Sequence, residues 1–112
     1  MCDNLIKELR FKIGEQYELN EFNLKSINST FKNGIEYENY EYIKDDFKAL
    51  FGVKFSKNVI LQYNADILYK AIYEFESNQY DYLLSQINNY SLDDILLELI
   101  KDKNYCQIVL KK

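Results

Sequence analysis

Three groups of residues in this sequence have types and spacings that bear on chemistry. The first is Glu36-Tyr37-Glu38-Asn39-Tyr40-Glu41-Tyr42, three carboxylates and three phenols in seven residues. In a strand, alternate residues share a face, so Glu36, Glu38, Tyr40 and Tyr42 lie on one side and Tyr37, Asn39, Glu41 and Ile43 on the other. Tyr37 and Ile43 suit a core, which leaves the first set outside. Glu36 and Glu38 are then about 7 Å apart, near the spacing of successive phosphates on one nucleic-acid strand. Carboxylates on such a face steer it toward a basic partner, and tyrosine adds contact area at low entropic cost. An ordinary solvated strand face has a similar pattern, with acids discouraging edge-to-edge pairing.

The second group is two acid pairs, Asp45-Asp46 and Asp93-Asp94, each at an expected helix start. Adjacent helical residues diverge by about 100° and do not face each other. Neither pair is therefore a natural metal clamp, and capping near the positive helix end accounts for both. The third group is the thiols Cys2 and Cys106. No CxxC pair accompanies them, so zinc and redox-motif signals are absent, and isolated thiols of this kind are expected reduced.

The missing residue types exclude more. With no histidine, the commonest general base, the commonest metal ligand and every Ser-His-Asp or Cys-His arrangement are gone. Gly14, Gly34 and Gly52 are isolated, and no phosphate-cradling loop occurs. One arginine and a net charge of −4 give no basic stripe, which disfavours direct nucleic-acid contact. Lys101, Lys103, Lys111 and Lys112 form the only basic concentration and read as solubilising. No catalytic residue, cofactor or metal is expected, and the chain is read as a non-enzyme. An acid and base assembled from distant carboxylates is the enzymatic alternative; among 18 acids nothing singles out such a pair.

The elements that must position these residues follow from patterning. At 112 residues, one domain with one core is expected over the whole chain. Asp3 caps a first helix through Leu5, Ile6, Leu9 and Ile13, stopped by Gly14. Asn33-Gly34 predicts a type I′ hairpin that pairs Lys32 with Ile35, Thr30 with Tyr37, Ile27 with Tyr40 and Leu24 with Ile43. Asp45 opens a short helix over Phe47, Leu50 and Phe51, ended by Gly52. The spacing of Val59, Ile60, Tyr63, Ile67, Ala71 and Phe75 favours a long helix from Ser56. A second hairpin around Ser56-Lys57-Asn58 is the alternative, with residues 65–76 helical in both readings. Leu83, Leu84 and Ile87 mark another helix, and Ser91-Leu92-Asp93-Asp94 starts one through Ile95, Leu96, Leu99 and Ile100. A strand over 105–110 closes the chain. The expected class is α+β: a small antiparallel sheet, with its hairpin near 24–43 and the closing strand, packed on a helical second half.

Charge is not spread evenly over these elements. Residues 15–46 hold eight acids and three bases, net −5, whereas residues 47–112 hold eight of each. Lysine, asparagine, isoleucine, tyrosine and phenylalanine make up 55 of 112 residues, and lysine outnumbers arginine 13 to 1. All five have A/T-rich codons, which points to a low-GC bacterium, its phage or a mobile element. The N-terminus is charged from Asp3, and apolar runs such as Val59-Ile60-Leu61 stop at three residues. A membrane span needs roughly twenty, so a cytoplasmic protein without membrane contact is expected.

In size, composition, acidity and lack of catalytic apparatus, the chain is similar to small inhibitors carried by phages and mobile elements, anti-CRISPR and antirestriction proteins among them. The likeness is one of general character and rests on no motif. It implies a surface that blocks a nucleic-acid-handling effector by protein–protein contact, in part as a nucleic-acid mimic. An immunity protein masking a toxin nuclease would look the same. The candidate partner-binding residues are Glu36, Glu38, Tyr40, Glu41 and Tyr42, with Asp45 and Asp46 in support, and the expected partner is a basic nucleic-acid-binding effector or nuclease.

Overall fold

Valine, isoleucine, tyrosine, leucine and phenylalanine crowd residues 59–75, and most such side chains pack well on a pleated surface. Nearly all of that stretch is two strands joined by a tight turn. A computed structural model describes residues 10–87 and 95–112. They form β1 (Leu24–Ser26), β2 (Thr30–Lys32), β3 (Ile35–Tyr42), β4 (Ala49–Leu50), β5 (Val53–Lys54), β6 (Ile60–Asn64) and β7 (Ile67–Glu76). A single α-helix among the described residues, α1 (Tyr80–Ile87), then leads toward β8 (Leu96–Lys101) and β9 (Tyr105–Lys111). Short 3-10 turns occupy Tyr17–Leu19, Glu21–Asn23 and Ser77–Gln79.

Seven strands make one antiparallel sheet in the order β1-β3-β6-β7-β9-β8, with β2 also pairing β3. β4 and β5 form a separate hairpin. The fold is therefore a dominant sheet, and the expected helical second half is wrong. Residues 67–76 are strand with a turn at Ala65-Asp66 before it, the preferred helix over 56–75 is largely β6 and β7, and the helix expected over 95–100 is β8. The helix expected at Asp45 is a turn leading into the β4–β5 hairpin. The helix over 3–14 and the Ser91–Asp94 start lie largely outside the described residues. Leu83 and Ile87 are buried on α1, and the closing strand is present as β9.

The physical reason for the main error is a bulge. Tyr63 pairs with Leu68 but Gln62 pairs with Lys70, so Tyr69 is an extra residue on β7. The core face thus reads Leu68, Ala71, Tyr73 and Phe75, and its first step of three mimics a helical stripe. The loop joining β6 to β7 is Ala65-Asp66, with φ of 50° and 66°. Those are the positive angles of a type I′ hairpin, supplied without the usual Asn-Gly.

One face of the sheet buries Tyr42, Leu61, Tyr63, Leu68, Ala71, Tyr73, Phe75, Cys106, Ile108 and Leu110. Phe11, Val59, Leu50 from the small hairpin, and Leu83 and Ile87 from α1 complete the cluster. Each large apolar side chain buried in this way is worth about 1.5–3 kcal/mol. Aromatic edges add to it, with ring centroids 4.7 Å apart for Phe11–Tyr42 and 5.2 Å for Phe47–Phe55.

Candidate partner-binding surface

Asn33 and Gly34 take φ of 54° and 79°, and the hairpin they close pairs Lys32 with Ile35 and Thr30 with Tyr37, as the sequence requires. Further on the register departs. Ser26 pairs with Tyr40 and Leu24 with Tyr42, one residue short of the expected Ile27–Tyr40 and Leu24–Ile43 pairs. Residues 27–29 absorb the difference as a bulge. Asn39 fixes it, donating from Nδ2 to the Asn28 carbonyl and to Thr30 Oγ1, each at 2.8 Å, and accepting from Gln62 Nε2 at 3.0 Å. Pairing of β3 with β6 begins only at Glu38. The β2–β3 tip therefore extends past β6 as a two-stranded ribbon, with all of β2, Ile35 and Glu36 exposed.

The faces of β3 are the reverse of those expected. Tyr42 is 2% exposed and packs in the core against Phe11, and half-buried Tyr40 packs between Tyr17 and Tyr63. Tyr37 lies on the opposite face with its ring 5.0 Å from that of Tyr69, and Ile43 is exposed. Because strand period is two, one wrong choice of face inverts every assignment. Tyr42 is thus no surface residue. Its hydroxyl donates to Asp46 Oδ1 at 2.5 Å; burial, then this bond, raises its pKa. The same bond is the main cause holding Asp46 below the usual carboxylate range, with Lys44 Nζ and Arg10 Nε each 3.8 Å away.

The seven candidate residues do not form one patch. Glu36 and Glu38 share the ribbon face on which Phe31 sits opposite Glu36. Glu38 Oε2 accepts from Tyr40 Oη at 2.7 Å; burial, then Glu38, pushes that phenol pKa far up. Glu41 lies on the other face, paired across the strands with Lys25 and Ile60. Asp45 and Asp46 follow the strand in a turn, and Asp45 is bridged to Lys48 Nζ at 3.2 Å.

Sequence reasoning missed the apolar half of the surface. Phe22 is 91% exposed, Phe31 72% and Leu19 66%. Six of the ten exposed large hydrophobic side chains among the described residues lie within residues 15–46: Leu19, Phe22, Ile27, Phe31, Ile35 and Ile43. The segment reads as strand-like alternation, Tyr17 with Leu19 and Phe22 with Leu24, broken by a bulge or bend; it is two 3-10 turns, and the available signal was Leu19 and Phe22 standing among Glu15, Glu18 and Glu21. Beside them an open cleft of about 440 Å³ is lined by Tyr17, Glu18, Glu21 and Asp66, among others. Among the described residues no group of three His, Cys, Asp or Glu could hold a metal. Cys106 is a buried free thiol, its pKa raised by that burial. No helix among them is long and apolar enough to cross a membrane.

Compared with known proteins, the chain matches no family model and shows no significant match to a curated protein or a solved structure.

Proposed function

We propose that this protein is a small, acidic, non-enzymatic inhibitor that acts in the cytoplasm by binding a basic, nucleic-acid-handling effector or nuclease. The observation that supports this reading is the co-location of two properties. Residues 15–46 hold a net charge of −5 and, among the described residues, six of the ten exposed large hydrophobic side chains. Apolar side chains such as Phe22 and Phe31 supply contact area, while carboxylates around them steer a positive partner into place. The ribbon brings both to one place, with Phe31 directly across from Glu36 and next to Glu38 along the face. A ribbon of this kind enters a basic groove and excludes the nucleic acid.

The test compares the wild-type chain with a Phe31→Ala, Glu36→Lys variant, each immobilised and exposed to lysate of the source organism. Mass spectrometry identifies what is retained. The expected result is a basic nucleic-acid-binding protein on the wild type, lost from the variant while its thermal unfolding is unchanged. Equal retention on both surfaces sinks the reading.

A further inference from the structure

We propose an oxyanion-binding site for a phosphate-type group on the outward face of the sheet, formed by Lys70, Lys111 and Lys32 beside the rings of Tyr37 and Tyr69. It lies on the face of the sheet and ribbon opposite to the one that carries Phe31, Glu36 and Glu38, and its charge is of opposite sign.

Cross-strand register brings Lys70 and Lys111 together, and the Tyr37–Tyr69 ring contact joins the ribbon that carries Lys32 to β7. Lys70 on β7 stands directly opposite Lys111 on β9, both pointing away from the core side that holds Ala71 and Leu110. Like charges directly opposed across a sheet are destabilising. Lys32 pairs with Ile35 and so shares the outward face with Tyr37, whose ring meets that of Tyr69, the neighbour of Lys70. Lys70 is half-buried and makes no ion pair among the described residues.

The charged groups acting on its ammonium are Lys111, Lys32 and Glu98. Burial, then the two lysines, depress its pKa, and only Glu98 opposes them. Glu98 Oε1 is itself taken by Lys111 Nζ at 2.9 Å. Three ammonium groups thus face one carboxylate in a chain whose total charge is −4. A threonine or isoleucine at position 70 would suit the strand without this cost. An oxyanion between Lys70, Lys111 and Lys32 removes the repulsion, and the Tyr37 and Tyr69 hydroxyls are further donors on the same face.

Inorganic pyrophosphate titrated into the full chain, with sodium chloride at matched ionic strength as control, tests the site. Melting temperature and amide chemical shifts are the readouts. A saturable rise in melting temperature is expected with pyrophosphate alone, with shifts centred on Tyr69, Lys70 and Lys111. Lys70→Met should raise the melting temperature of the free protein and weaken binding about ten-fold or more. Lys32→Met, on the exposed ribbon, should weaken binding with the fold intact. A wild-type response no larger than that to chloride overturns the site. So does undiminished binding in both variants.

Discussion

Two tyrosines with nearly equal burial have opposite hydrogen-bond standing. Tyr42 donates to Asp46, whereas Tyr73, 0% exposed, has no partner for its hydroxyl among the described residues. Removing a satisfied hydroxyl loses a bond, and removing an unsatisfied one relieves a desolvation cost. Tyr42→Phe should therefore lower unfolding free energy by about 1 kcal/mol at pH 7, and Tyr73→Phe should raise it by about 1 kcal/mol. The Tyr42 effect depends on pH through Asp46. The folded carboxyl sits below its ordinary value of 3.8, so its contribution is present above that pH and lost as pH falls through the folded value. Urea unfolding at pH 7 and near pH 3 should show the gap between wild type and Tyr42→Phe shrinking in acid. Neither role was legible in the sequence. Tyrosine fits core and surface alike, and only the choice of face separates them.

At the level of elements, what was legible depended on turn chemistry. Asn33-Gly34 announced its hairpin because both residues accept positive φ. Phe51-Gly52 takes φ of 55° and 79° between β4 and β5, yet Gly52 looks equally like a helix stop. Ala65-Asp66 carried no signal at all, and with the bulge at Tyr69 it hid the longest strand in the sheet. An alanine at positive φ is strained where asparagine is at ease. Ala65→Asn, which copies the conformation of Asn33, should raise unfolding free energy by about 1 kcal/mol. Urea titration reads this directly, and a loss of stability would refute the strain. The candidate site was legible in its charge but not in its geometry. Net charge can be counted along the chain, whereas sheet face and exposure depend on partners far away in sequence.

The molecule as a whole is closed by its last strand. β9 lies between β7 and β8 and buries Cys106, Ile108, Val109 and Leu110. Without it β7 loses a neighbour along seven residue pairs and β8 loses its partner among the described residues. A chain ending at Lys103 should accordingly show neither a cooperative thermal transition nor a dispersed amide spectrum; a folded spectrum would contradict this role for β9. Charge is also divided across the sheet. The acidic segment supplies β1 to β3 at one edge, while residues 95–112 at the other hold four lysines against Glu98 and Asp102. On the proposed function, the edge that carries the ribbon is the one that meets a basic partner.

The bulge at residues 27–29 bears on fibre growth. Sheet edges template the addition of further strands, and long regular ones seed cross-β assemblies. Here the acidic edge is broken into β1 and β2, three residues each, with Asn39 holding the break in place. It offers too short a row of backbone groups for another chain to copy. Among the described strands the opposite edge has no such interruption: β8 runs six residues with Leu96 and Ile100 exposed, and is the longer row open to an added strand.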